Sequence, residues 1–195
     1  MSRRFQIGGD PTPPTTQDDD VHGGDDPSQP DDVQDKLPCK GDHLNVPSHP
    51  YLTKILHKQG DQQVLFADKV LKFTGSGKMK TRILLITDFA MYIVDPETDS
   101  LKRRIALAAV EKICLSKLSD NFLAVIIPTE YDLLIASARK SEIVAAFVEA
   151  TRKASDYELE VVCSNRFEYN AASDLVKEIE FEEVEGGVKT RIIRQ

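Results

Sequence analysis

Four cations, Lys72, Lys78, Lys80 and Arg82, crowd into eleven positions of the stretch VLFADKVLKFTGSGKMKTRILLIT, residues 64–87. Apolar runs flank them: Val64, Leu65, Phe66, Val70, Leu71 and Phe73 before, Ile83 to Ile86 after. Gly75 and Gly77 lie between, where a hairpin calls for positive φ. Side chains alternate on a strand, so Lys80, Arg82 and Leu84 share one face, and Lys72 on the neighbouring strand reaches the same spot. Such a cluster suits a phosphorylated anion, because Arg offers a two-pronged donor fork and Lys a point charge. Near an anionic bilayer each basic residue contributes about 1 kcal/mol, enough together for weak, salt-sensitive attachment. Met79 at the loop tip is placed to dip into the interface. Lys102, Arg103 and Arg104 form a second basic group, which either widens the same face or flanks a strand; Lys117, near a turn, is a weaker candidate.

Other chemistries find little support. The four histidines all fall within the first 57 residues, and none sits in a strand-end motif with a nucleophile, so no enzyme is expected. Gly75-Ser-Gly-Lys-Met is too short for a phosphate-binding loop and lies between strands rather than opening a helix. Cys39, His43, His49 and His57 match no zinc module, and the Asp run at 18–20 lacks a defined loop, so neither metal nor cofactor is expected. Three cysteines, far apart, make no disulfide framework; Cys114 and Cys163 read as small core residues. A nucleic-acid partner would want exposed aromatics among the cations, yet the chain has no Trp.

The elements that must hold the cations follow from pattern. Residues 1–42 carry ten Asp and six Pro with almost nothing apolar, and are expected to be a disordered acidic leader. Most of the net charge of −7 resides there, whereas residues 64–112 hold nine Lys/Arg against six Asp/Glu. A leader of that sign either simply solvates the chain or folds back on the basic patch and weakens it. Residues 48–58 read as a short helix, with Ser48 as N-cap, Pro50 in the first turn and Gly60 as stop. Short strands succeed one another through 89–94, 102–107, 110–116, 122–127 and 131–136, the mark of a sandwich or small barrel. Residues 138–154 change to helical spacing, with Ile143, Val144, Phe147 and Val148 on one face to cover the barrel's open end. Charged strands at 159–163, 179–184 and 188–193 follow, the last two joined by Gly186-Gly187. They read as an extension too short for its own core. No run reaches the roughly 18 apolar residues of a membrane span. Signal-peptide and lipidation patterns are missing too, so a cytoplasmic protein, peripheral on the cytosolic face of membranes, is the expectation.

Seven strands and a capping helix are the plan of a pleckstrin-homology domain. The phrases VLFADKVLKF (64–73), KMKTRILLIT (78–87), MYIVDPET (91–98), LKRRIAL (101–107), LSKLSDNF (115–122) and YDLLIAS (131–137) go further. They resemble, in order and with short gaps, the tail homology domain of class I myosins, over residues from about 43 to 195. The resemblance implies a mainly β, α+β fold: a pleckstrin-homology-like barrel (core about 64–154) with an N-terminal helix and added C-terminal strands (155–195). It implies a non-catalytic module that binds anionic phospholipids, phosphoinositides in particular, through a Lys of the first strand and a basic residue of the second. Lys72 matches the former, Lys80 and Arg82 the latter, with Lys78 in support. The sequence carries no motor, light-chain-binding neck or SH3 module, so ATP hydrolysis and actin movement are not implied. The alternative is a protein-interaction adaptor of the same fold within a myosin or actin cytoskeleton complex, using the acidic C-terminal strands.

Overall fold

The computed structural model describes residues 40–61 and 63–195, so the expected leader lies outside the described residues apart from Lys40, Gly41 and Asp42. Asp42 forms a bridge with Ala67, and its carboxylate accepts the backbone N–H groups of Leu44 (3.0 Å) and Val46 (2.7 Å). A helix, α1 (Pro50–Gln59), comes next. Its N-cap is His49 rather than Ser48, whose hydroxyl instead donates to the Asn45 carbonyl at 2.7 Å. Pro50 at the first helical position needs no N–H partner, and Gly60 ends the helix at φ 79°.

Seven strands then run antiparallel: β1 (Val64–Phe73), β2 (Met79–Thr87), β3 (Ala90–Asp95), β4 (Ser100–Ala106), β5 (Lys112–Leu115), β6 (Phe122–Ile126) and β7 (Leu133–Ala136). Their order is β4-β3-β2-β1-β7-β6-β5, because β1 is long enough to pair with β2 along its length and with β7 at its end. The sheet closes over one apolar core supplied by its inner face, including Phe66, Val70, Leu84, Ile93, Ile105 and Ile135. Helix α2 (Lys140–Ala154) seals that core with Ile143, Ala146, Phe147 and Ala150. On the outer face, α1 packs Leu52 and Leu56 against Ile83, Leu85, Tyr92 and Val94. This is the α+β, pleckstrin-homology-like plan that the strand spacing and the change to helical period predict.

The C-terminal part departs from the expectation in two ways. The strand at β8 (Glu160–Cys163) joins the main sheet, parallel to β5, instead of the added sheet. The added sheet gains a strand the sequence reading omits, β9 (Arg166–Ala172), beside β10 (Leu175–Val184) and β11 (Gly187–Arg194). Its apolar face, Tyr169, Ile179 and Phe181, packs on Ala124, Ile126 and Leu134 of the barrel. Cys114 is buried as expected, whereas Cys163 is exposed, because β8 lies at the sheet's edge.

Candidate functional site

Beyond the last core layer, the inner face of the β1–β2 hairpin turns from apolar to basic. Val70 and Leu84 belong to the core; two residues further along the same face stand Lys72 and Arg82. Lys80 lies directly opposite Lys72 across the strand pair. Like charges so placed destabilise a sheet. Among the described residues, no carboxylate comes within ion-pairing distance of Lys72, Lys78 or Lys80. Burial, and then the charges of Arg103, Arg82 and Lys80, push the Lys72 ammonium below its ordinary pKa. The structure thus brings Lys72, Lys80 and Arg82 together, with Lys78 exposed at the foot of the loop.

Arg82 is the partly neutralised member. Its guanidinium lies 3.5 Å from Asp95, which also stands 3.9 Å from Lys102. The Asp95 carboxyl is held below the carboxylate range, chiefly by the Glu97 backbone N–H (2.9 Å) and then by Arg82 and Lys102.

The expected basic group at 102–104 does not act as a unit. A β-bulge falls at Lys102, since Ile93 pairs with Arg103 while Val94 pairs with Leu101. Leu101 and Arg104 therefore face α1, whereas Arg103 turns to the barrel mouth with Ile105. Arg104 is committed to structure. It meets the buried Asp61 carboxylate at 3.3 Å and donates to the Tyr92 hydroxyl at 3.1 Å, and that hydroxyl in turn donates to Asp61.

Arg103 is only 8% exposed. Its Nε (3.1 Å) and Nη2 (2.9 Å) both donate to one oxygen of Glu130, and Nη2 also reaches the Tyr131 carbonyl. Its Nη1 is buried without an acceptor among the described residues. A buried unsatisfied donor costs about 1–3 kcal/mol, more on a charged group, so it calls for an explanation. The Tyr131 ring covers the guanidinium, with Cζ 3.9 Å from the ring centroid, and Lys72 Nζ lies 5.7 Å from the same centroid. Tyr131, expected to start a strand, stands instead in the β6–β7 loop as an aromatic wall between two cations.

The added sheet braces this mouth. Gly75 marks a close approach rather than a positive φ: a Cβ there would lie 3.2 Å from the Ala171 carbonyl oxygen, a tight contact. Gly77 is the hairpin residue with positive φ, at 83°. The Asp132 carboxylate accepts the backbone N–H groups of Ile127 and Asn170, each at 2.7 Å. The loop carrying Tyr131 is thus tied to β9. A depression of about 320 Å³ opens between Lys72, Thr74, Tyr131 and the β9–β10 turn. A second, of about 390 Å³, lies across the hairpin beside Met79, Lys80 and Arg82. Met79 is 61% exposed at the tip.

Among the described residues no cluster of three His, Cys, Asp or Glu side chains suits a metal ion, and no helix is long and apolar enough to cross a membrane.

The family of unconventional myosin tails, described as actin- and lipid-binding, matches residues 37–193. The chain is 32% identical over 135 residues to the myosin IB heavy chain of Dictyostelium discoideum, covering 66% of this chain and 12% of that one. It is 29% identical over 126 residues to the myosin ID heavy chain of the same organism, covering 58% and 11%. The matched region thus spans about a tenth of the length of those heavy chains. Among solved structures, the hSac2 domain of human phosphoinositide phosphatase Sac2 superposes with a TM-score of 0.45 at 13% identity, over 58% of this chain and 87% of that one.

Proposed function

The chain belongs to the actin- and lipid-binding unconventional myosin tail family, and from that footing we propose that its barrel mouth binds phosphoinositide headgroups on membrane surfaces. The family is a non-catalytic module, so the work to be explained is binding. The observation that carries the reading is the Lys72–Lys80 pair. Two lysines face each other across neighbouring strands, backed by Arg82 and Arg103, with no carboxylate within ion-pairing distance of either lysine among the described residues. Such a cluster opposes folding unless an anion relieves it, and functional sites are where strain of this kind is retained. An inositol phosphate offers several phosphoryl groups to a cluster of this spread. Lys78 and Lys102, further out, meet the bilayer's anionic surface, and Met79 enters its interface.

Sedimentation with liposomes containing phosphatidylinositol bisphosphate, at physiological salt, tests the reading. The wild type is expected to pellet with them, and Lys72→Ala or Arg82→Ala to weaken that binding. No wild-type binding would refute it, and binding that survived both substitutions would place the site elsewhere.

A second reading, a protein-binding surface for the actin cytoskeleton, draws on β11. Among the described strands it pairs only with β10, leaving an edge of eight residues with Lys189, Arg191 and Arg194 and no acidic side chain. Cosedimentation with actin filaments, with and without lipid, separates the two.

A further inference from the structure

Resting on the proposed headgroup site, we propose that Glu130 is an internal competitor: its carboxylate occupies Arg103 in the free protein and is displaced by a phosphomonoester of the ligand. Three observations carry this.

The Arg103–Glu130 pair is incomplete. A guanidinium and a carboxylate fit best as two parallel bonds to two oxygens. Here Nε and Nη2 share the single Oε2, and Nη1, although buried, has no acceptor among the described residues. A phosphomonoester carries three terminal oxygens and is able to satisfy donors that one carboxylate oxygen leaves wanting.

Glu130 is also free to leave. Its side chain is 45% exposed and meets no cation but Arg103 among the described residues. Swinging into water strands nothing on its own side of the pair. Asp61, the carboxylate facing the neighbouring Arg104, is the opposite case. Its side chain is 4% exposed and is held by Tyr92, Thr87 and Arg104 together.

Finally, the replacement gains a partner that Glu130 does not reach. Lys72 and Arg103 both address the Tyr131 ring, yet Lys72 is not paired with Glu130. A phosphate beside Tyr131 engages both cations. The exchange favours ligands bearing phosphomonoesters, which approach two charges each, over lipids such as phosphatidylserine whose only phosphate is a diester. Glu130 thereby acts as a threshold that weak anions do not cross.

The test compares wild type, Glu130→Gln and Glu97→Gln. Glu97 is an exposed carboxylate at the same mouth that makes no ion pair among the described residues, so its substitution removes the same charge without freeing Arg103. Each is titrated with phosphatidylinositol bisphosphate vesicles, phosphatidylserine vesicles of matched charge, and soluble inositol trisphosphate. Glu130→Gln is expected to tighten binding of the phosphomonoester ligands at least threefold more than Glu97→Gln does. It should also narrow their advantage over phosphatidylserine and lower the thermal midpoint of the free protein. A gain with the vesicles and the soluble headgroup marks a lipid ligand; a gain with the soluble compound alone marks a free inositol phosphate. Equal gains in the two variants, or none in Glu130→Gln while the wild type binds, overturn the competitor and leave the headgroup site standing. If the wild type binds none of the three, both fall. In an Arg103→Gln background, checked for folding by circular dichroism, Glu130→Gln should confer no more than Glu97→Gln; should that variant fail to fold, the Glu97 comparison still decides.

Discussion

Arg103 and Arg104 are consecutive residues of β4, yet they belong to two regions built on different terms. On the α1 side, Arg104, Asp61, Tyr92 and Thr87 form a network in which the buried charge has a counter-charge and hydrogen-bond partners. At the mouth, among the described residues, Lys72 and Lys80 face each other without a counter-charge and Arg103 keeps a buried donor unused. The sequence presents both regions as basic residues on strands. What separates them is compensation. A charge whose partners are present secures the fold, whereas charges gathered without partners cost stability that a ligand is able to return.

That contrast can be broken from either side. The largest effect is expected from removing both facing lysines. Lys72→Ala with Lys80→Ala should weaken binding to phosphoinositide vesicles about 30-fold, at about 1 kcal/mol for each basic residue, and leave the thermal midpoint unchanged or raised. Vesicle sedimentation with parallel calorimetry reads both.

Arg104→Ala should do the reverse. It strands the Asp61 carboxylate and costs about 2 kcal/mol, less than a fully buried pair because Arg104 reaches solvent. Denaturant unfolding measures that loss, and the folded fraction should bind vesicles almost as the wild type does.

A smaller effect comes from the same network's phenol. Burial, followed by the hydrogen bond to Asp61, pushes the Tyr92 pKa up to about 12, and burial does the same for Tyr169. The neutral phenol is therefore favoured in the folded state. This contribution is fully present below about 10, the ordinary tyrosine value, and is lost as pH rises from there towards the folded value. Tyr92→Phe should flatten the alkaline limb of a stability–pH profile; an unaltered limb would show the phenol to be uncoupled from folding.

The smallest expected effect is the most discriminating. Lys72→Met keeps the stem and removes a charge held below its ordinary pKa, so it should stabilise the free protein by about 0.5–1 kcal/mol while weakening vesicle binding. Opposite signs in one variant separate a ligand-binding lysine from a structural one.

The sequence made the hairpin cluster legible because β1 and β2 are regular there: period-2 alternation carries Lys80 and Arg82 onto the face of Leu84, and Lys72 follows Val70. The succession of seven short strands was legible for the same reason, and the capping helix because the period changes to helical spacing at residues 138–154. Arg103 was not. The bulge at Lys102 breaks the alternation that would otherwise set Leu101, Arg103 and Ile105 on one face, and a bulge has no marker in the residues LKRRIA. Only the shared spacing of Arg103 and Ile105 hinted at it. Tyr131 and Glu130 act from a loop, where periodicity says nothing. Gly75 is set not by the hairpin's φ but by its close approach to Ala171, far along the chain in β9, whose pairing local periodicity does not mark.

The central claim, that the mouth holds cations awaiting an anion, is tested most directly by titrating the Lys72 ammonium by NMR, free and with short-chain phosphatidylinositol bisphosphate. Its pKa in the free protein is lowered by burial and by neighbouring cations. A bound phosphate should raise it towards or above the ordinary lysine value. A Lys72 titration unchanged in a complex that demonstrably forms would contradict the account.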